Sequence, residues 1–143
     1  MSFRRFVLVA SSAAVFLLLT AMGGGGAGPV SDTIPRPKEN YRAALVDRQG
    51  VMTRVELLAC NGRTFLPLER GEGTLMVPFA KVKRVILGEE SGSRLAARVE
   101  VEGAAKALEG RLARTLLFTG VTDYGNYRVE ARGLAEIRLL QSD

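Results

Sequence analysis

The stretch Gly73-Thr74-Leu75-Met76-Val77-Pro78-Phe79 decides the fold, because its pattern returns 52 residues later as Gly125-Asn126-Tyr127-Arg128-Val129-Glu130-Ala131. An earlier pair of segments, residues 44–50 and 97–103, matches at an offset of 53. A one-residue deletion between the matching segments reconciles the two offsets. Two copies are too few for a solenoid, so the chain from residue 41 onward is predicted to be a duplicated module.

Apolar and polar residues alternate within each copy, which is the pattern of half-buried strands. The clearest run has its apolar residues at every second position: Leu95, Ala97, Val99 and Val101. Between two such runs lies Asn61-Gly62, which predicts a hairpin with a type I′ turn because that turn needs positive φ at both central positions. We predict about five short strands per copy, with a tight step before the fifth at residues 78–81 and 131–133.

The predicted fold class is all-β: two duplicated five-stranded small barrels or sandwiches packed together, preceded by an N-terminal signal helix and a flexible linker. Module 1 covers residues 41–90 and module 2 covers residues 91–143. A module of about 50 residues buries too little apolar surface to be stable alone. The modules are therefore expected to share an interface and to fold as one cooperative unit.

Residues 104–114 carry conflicting signals. They contain strong helix formers, and Leu108, Leu112 and Leu116 are spaced by four, as on one face of a helix. The repeat aligns the same segment with residues 51–64, which have the strand pattern, and Gly110 weakens a helix by about 1 kcal/mol. We follow the repeat and predict a strand.

A family resemblance rests on Val77-Pro78-Phe79-Ala80-Lys81-Val82-Lys83-Arg84-Val85 and on the turn at residues 47–50. Together they resemble the late portion of bacterial small-barrel modules such as the PRC-barrel, and five strands with a short turn before the last is the order of an SH3-like barrel. That family is expected to show a second Gly after the first turn, where this chain has Arg54. The resemblance implies a binding or assembly unit and carries over no catalytic residue.

The first 27 residues predict export. Arg4 and Arg5 form a cationic start, residues 6–22 carry no charge, and glycines follow. This order is typical of a secretory signal peptide, with cleavage between residues 23 and 28. The apolar run is also just long enough to remain as an uncleaved anchor. Residues 28–40 are rich in Gly and Pro and are predicted to be a flexible linker. The predicted location is periplasmic or extracellular, with anchoring to the inner membrane as the alternative.

The composition restricts the chemistry. The chain has no His, so Ser-His-Asp or Cys-His catalysis and imidazole metal sites are unavailable to it. Its single cysteine, Cys60, can form neither an intrachain disulfide nor a thiolate zinc site and is expected to be buried and inert. We predict no catalytic residue, metal site or cofactor. A hydrolase that uses carboxylates alone stays open as an unfavoured alternative.

The candidate binding residues are Lys81, Lys83 and Arg84, the densest basic spot, and Tyr124, at a predicted turn. The first module carries a net charge of +4 over residues 41–88, against +1 over residues 93–143. This asymmetry favours an envelope protein or an anionic surface as the partner. A basic edge that prevents aggregation explains it equally well. Export and the scarcity of aromatic residues argue against nucleic acid.

These observations favour an exported, non-enzymatic binding or assembly module that acts by contact with a protein or with the envelope surface. In the main alternative the leader is retained, and the β-rich part is a membrane-tethered accessory subunit. The membrane is then contacted only through that leader. The sequence does not identify the ligand.

Overall fold

A computed structural model describes residues 33–140, in which ten antiparallel strands form one curled, barrel-like sheet. The predicted all-β class is confirmed. The strands are β1 (Arg42–Asp47), β2 (Met52–Cys60), β3 (Phe65–Arg70), β4 (Gly73–Pro78), β5 (Val82–Ser91), β6 (Arg94–Val101), β7 (Leu108–Ala113), β8 (Leu117–Thr122), β9 (Gly125–Glu130) and β10 (Leu134–Leu140). Short 3-10 turns at Phe79–Lys81 and Ala131–Gly133 precede β5 and β10, where the tight steps were predicted.

The strand order shows the duplication directly. Across the sheet it is β4-β3-β7-β6-β5-β10-β1-β2-β8-β9. The first repeat supplies β1 to β5 and the second supplies β6 to β10, which confirms the predicted five strands per repeat. Replacing each strand by its counterpart in the other repeat gives the same order reversed. The sheet therefore has an internal two-fold relation.

The two repeats exchange strands. β2 pairs with β8 of the second repeat, and β7 pairs with β3 of the first. One five-stranded grouping thus contains β1 and β2 with β8, β9 and β10, and the other contains β6 and β7 with β3, β4 and β5. The two groupings have the same strand order once each strand is replaced by its counterpart. The shared interface expected from the sequence is thus a full interleaving of the two repeats.

The two-fold relation is centred on the pair formed by Val85 in β5 and Ile137 in β10. These residues are direct partners in the sheet, and they occupy equivalent positions 52 residues apart. Both are about 1% exposed. The neighbouring partners Arg84 and Arg138 lie opposite each other in the same ladder. The β5–β10 contact therefore joins the groupings through a buried apolar pair.

The chain crosses between groupings at two short turns, one of which is the predicted Asn61-Gly62 turn. Asn61 and Gly62 have φ of 49° and 79°, and a single bridge between Cys60 and Arg63 closes the turn before the strands diverge. The positive φ values that a type I′ turn requires are confirmed, but the predicted hairpin is wrong, because beyond this single bridge β2 pairs with β1 and β8 and β3 pairs with β4 and β7. The corresponding turn of the second repeat, residues 114–116, is one residue shorter than residues 61–64. The deletion inferred from the two offsets lies here.

Asn61 also ties the two repeats together. Its backbone N–H donates to the carbonyl of Leu117 at 2.8 Å, and its side-chain Oδ1 accepts the Leu117 N–H at 2.9 Å. An asparagine tolerates the left-handed conformation better than most side chains, so one residue both makes the turn and pairs with the start of β8. The sequence of the turn therefore fixes a contact between the repeats.

The core is one apolar cluster to which both repeats contribute. Among its least exposed members are Leu45, Leu66, Phe118 and Leu134. Cys60 belongs to the same cluster at 2% exposure, and its burial raises the pKa of the thiol to about 12. The prediction of a buried cysteine is confirmed.

Residues 104–114, whose sequence signals conflict, contain a strand, as predicted. β7 runs from Leu108 to Ala113 and pairs along its length with β6, while residues 104–107 form no strand. Gly110 is needed at this place because a methyl group there would overlap the carbonyl oxygen of Glu69 in β3. Close approach of two strands, rather than helix propensity, decides the conformation.

The described part of the predicted linker, residues 33–40, has no regular secondary structure. Ile34 in it is only 5% exposed, and Arg128 of β9 donates to the carbonyl of Thr33 at 3.4 Å. Residues 1–32, which include the predicted leader, lie outside the described residues. Between residues 33 and 140, no helix has the length and apolar character needed to cross a bilayer.

Candidate functional site

The predicted basic spot divides between two environments. Lys81 ends the 3-10 turn and is exposed, and its carbonyl accepts the backbone N–H of Glu102 at 2.8 Å. Lys83 is also exposed, whereas Arg84 is half-buried. The three cations therefore do not form one uniform surface. Of the three, Arg84 is the one held by carboxylates.

Arg84 is the centre of a chain of ion pairs across β6, β5 and β10. Its Nε contacts Glu100 Oε2 at 2.6 Å and its Nη1 contacts Glu136 Oε1 at 3.2 Å, and Arg138 extends the chain through Glu136 at 3.0 Å. Hydrogen bonding from Arg84 lowers the pKa of Glu100, and the same contact raises the pKa of Arg84. The guanidinium of Arg84 therefore finds its ion-pair partners within the protein itself.

Lys83 shares a depression of about 420 Å³ with Arg84 and Glu100, and it also lines a groove of about 750 Å³ at one end of β1. Two other charged residues, Arg42 and Glu102, share the lining. The apolar wall includes Tyr41 and Phe79, whose rings meet edge to face with centroids 5.8 Å apart. Such a groove offers both charged groups and apolar surface to a ligand.

A second depression, of about 330 Å³, continues from the first because both are lined by Arg42 and Leu140. Its remaining lining comes from β2 and from the end of β8, and it includes Arg54, Glu56 and Asp123. Arg54 is exposed, and its side chain makes no hydrogen bond or ion pair with any residue in the described range 33–140. Its guanidinium is available to a partner.

A third depression, of about 540 Å³, shares Arg54 and Asp123 with the second and ends at the predicted contact residue Tyr124. Tyr124 is 100% exposed at the tip of the β8–β9 hairpin, and Met52 beside it is 50% exposed. The Thr122 hydroxyl donates to the carbonyl of Gly125 at 2.7 Å and accepts the Tyr124 N–H at 3.1 Å. The backbone at the tip is therefore well defined.

The three depressions together form what we call the Lys83–Tyr124 groove. It carries three cationic residues and three carboxylates, namely Lys83, Arg42, Arg54, Glu102, Glu56 and Asp123. Its two ends were candidates from sequence, and the fold joins them through β1 and β2. The importance of Arg54 was missed. Its only signal was that an arginine stands where the resemblance expects glycine.

Few groups suited to other chemistry are present in the described part of the chain. Between residues 33 and 140, no three side chains of the metal-binding types lie close enough to hold a metal ion. Thr119 is the one polar residue buried in that range, and no carboxylate is buried there. What the Lys83–Tyr124 groove offers is contact: apolar surface, an exposed tyrosine and charged groups of both signs.

The chain belongs to a protein family whose model, described as "Uncharacterised protein", matches residues 37–142. The match spans both repeats, so the family unit is the whole interleaved sheet. No curated protein and no solved structure matches the chain.

Proposed function

We propose that this protein is an exported, non-enzymatic binding module that holds a partner protein in the Lys83–Tyr124 groove. The observation that carries the proposal is the shared lining of the three depressions. Arg42 belongs to the first and second, and Arg54 belongs to the second and third. Two of the four positions selected from sequence, Lys83 and Tyr124, thus lie at the ends of this surface.

The chemistry of the groove favours a protein over an anionic membrane or polymer. Its cations and carboxylates are equal in number, so a uniformly anionic surface meets as much repulsion as attraction. Exposed Tyr124 and unpaired Arg54 are of the residue types that dominate protein–protein contacts. A partner with charges of both signs and an apolar patch for Tyr124 fits these features.

Export and the non-enzymatic character are parts of the proposal that rest on sequence. The leader pattern in residues 1–27 supports export, and the absence of His from the whole chain supports binding rather than acid–base catalysis. Mass spectrometry of the mature N-terminus separates a secreted module from an anchored one. A terminus between residues 24 and 29 indicates cleavage, and a terminus at the start of the chain indicates a retained anchor.

The binding surface is tested by placing a photo-crosslinking amino acid at single positions of the full chain in cells. Crosslinker at Tyr124 or Lys83 is expected to give the same partner adduct, because both positions line the groove. Glu72 is the matched control, since it occupies the tip of the β3–β4 hairpin equivalent to Tyr124. Equal adducts from Tyr124 and Glu72 would contradict the proposal.

Binding of the captured partner is then measured with Tyr124→Ala and Arg54→Glu. Each change is expected to weaken binding about 10-fold or more, as at other contact hot spots. Glu72→Ala and Arg70→Glu make comparable changes on the other hairpin and are expected to leave the affinity unchanged. All four positions are exposed, so the fold tolerates the substitutions.

A further inference from the structure

The two outermost strands of the sheet, β4 and β9, are protected very differently. β9 carries Arg128 and Glu130, and Arg128 bonds to the segment at Thr33. β4 has the sequence Gly-Thr-Leu-Met-Val-Pro, without a charge. Natural proteins usually defend a sheet edge with charges, bulges or covering segments. On β4, only Pro78 at the end of the strand is a residue that hinders pairing with another strand.

The apolar residues of β4 are also unusually exposed. Leu75 is 43% exposed and Met76 is 61% exposed. Leu75 lies on the same face as buried Val77, because side chains two apart on a strand share a face. Its counterpart in the second repeat, Tyr127, packs against the core. The apolar face of the sheet therefore extends to β4, where Leu75 stays partly exposed because no residue in the described range covers it.

The hydrogen-bonding groups of the β4 edge follow from its pairing with β3. A two-residue turn joins Arg70 to Gly73, and such a turn is closed by a hydrogen-bonded pair. Hydrogen-bonded and non-hydrogen-bonded pairs alternate in an antiparallel ladder, so Thr74 and Met76 point their N–H and C=O groups away from β3. Pro67, opposite Met76, has no N–H, which agrees with this assignment.

We infer that β4 pairs antiparallel with β4 of a second copy of this chain, with Leu75 on the two-fold axis. In this register Thr74 lies opposite Met76 of the partner, so the outward N–H and C=O groups bond to each other on both sides of Leu75. The two Leu75 side chains meet and extend the apolar face of the sheet. Pro78, which lacks an N–H, ends the ladder.

Two features select a second copy over an unrelated strand. The outward groups at Thr74 and Met76 are self-complementary, as a two-fold interface requires. The strand also has no charge that would oppose its own copy, whereas the same register on β9 would place the Arg128 residues of the two copies diagonally across the ladder, within reach of each other's long side chains. β9 therefore serves as an internal control for β4.

The test is cysteine crosslinking of the full chain, residues 1–143, oxidised in intact cells. Leu75→Cys is expected to form a disulfide-linked dimer, since a directly opposed non-hydrogen-bonded pair has Cα atoms about 4.5 Å apart. Thr74→Cys and Met76→Cys are expected to give little dimer, because each is more than about 7 Å from its own copy. Cys60 is buried and stays unreactive.

Tyr127→Cys is the matched control on β9, at the position equivalent to Leu75. We expect Leu75→Cys to give at least about fivefold more dimer than Tyr127→Cys, and Met76→Lys added to Leu75→Cys to reduce that dimer. Equal dimer from Leu75→Cys and Tyr127→Cys would overturn the inference, as would an adduct of Leu75→Cys with a different protein. The Leu75→Cys result does not bear on the Lys83–Tyr124 groove, because β4 lines none of its three depressions, whereas Tyr127 lines the third.

Discussion

Strands of the two repeats meet at two places, the β7–β3 and β2–β8 pairings, which we call corners. Each corner contains a glycine, but the glycine lies on the opposite member of the equivalent strand pair. At the β7–β3 corner the small residue is Gly110, facing Leu68 and Glu69. At the β2–β8 corner it is Gly120, on the opposite strand, and a Cβ there would lie 2.5 Å from Val55 Cβ. Each corner thus contains one glycine where the strands approach closely.

The repeats conserve this contact as a pair rather than residue by residue. The position equivalent to Gly110 is Leu57, which has a positive φ of 55° and lies within the irregular part of the β2–β8 ladder. The position equivalent to Gly120 is Leu68. A Cβ at Gly120 would meet Val55 and Glu56, and one at Gly110 would meet Leu68 and Glu69, so each contact keeps one glycine although its position differs between the repeats.

Gly110→Ala and Gly120→Ala should have the largest effects. Each is expected to lower the free energy of unfolding by more than about 2 kcal/mol, because the added methyl group overlaps backbone or Cβ atoms of the facing strand. Gly73→Ala is the control, since a Cβ there would meet only the carbonyl oxygen of Arg70, at an ordinary contact distance of 4.0 Å. Chemical denaturation measures all three. A loss at one corner only would show that the corners are not equivalent.

The Asn61 crossing turn should give the next largest effect, because its side chain accepts a backbone N–H of the other repeat, whereas the other crossing turn contacts the first repeat through the exposed ion pair of Arg114 with Glu90. Asn61→Ala removes the bond to Leu117 and places a Cβ residue without compensation at φ of 49°. The expected loss is about 2 kcal/mol of unfolding free energy.

Two further variants separate the causes at Asn61. Asn61→Gly keeps the backbone conformation and loses only the side-chain bond, so about half of the loss is expected, and Asn61→Asp keeps the acceptor. Equal losses for Ala and Gly would mean that backbone conformation contributes nothing. Thermal unfolding of the three variants side by side decides this.

The smallest effect concerns Glu100, which bonds to Arg84, whereas the equivalent Asp47 caps its own turn through the N–H groups of Gln49 and Val51. Because the pKa of Glu100 is lowered in the folded protein, its stabilising contribution is present above the ordinary glutamate range. It is lost as the pH falls through the lowered pKa. Glu100→Gln should therefore be less stable than the unmodified protein near neutrality.

This difference should shrink as the pH falls from the ordinary glutamate range through the lowered pKa of Glu100, because the carboxylate then takes up its proton. Urea unfolding across that range measures it, with Glu72→Gln on an exposed hairpin tip as the control. A difference that does not change with pH would mean that the Arg84–Glu100 contact is not electrostatic in origin.

Local features of the fold were predictable from sequence because local chemistry causes them. The alternation of apolar and polar residues predicted the strands, and Asn61-Gly62 predicted the turn. The exchange of strands was not predictable, because β2 would have the same alternation whether it paired with β3 or with β8. The two arrangements differ only in the direction that the chain takes after the Cys60–Arg63 bridge. No local sequence pattern predicts that direction.

The candidate site was predictable at its ends and not in its middle. Lys83 and Tyr124 are conspicuous in sequence as a basic residue in a cluster and an aromatic residue in a turn. Arg54 joins them because β2 lies beside β8 of the other repeat. Arg84 was expected to act with Lys83, but Glu100 and Glu136 come from the second repeat and hold it. Both outcomes depend on contacts between residues far apart in the chain.

The central claim is that the repeats exchange strands, and NMR contacts across β2 test it most directly in the unmodified protein. The account predicts cross-strand proton–proton contacts between Cys60 and Phe118, which are opposed in the β2–β8 ladder. Backbone cross-strand contacts of Cys60 with Leu66, the residue equivalent to Phe118 in its own repeat, in place of those with Phe118 would show that each repeat closes on itself and would contradict the account.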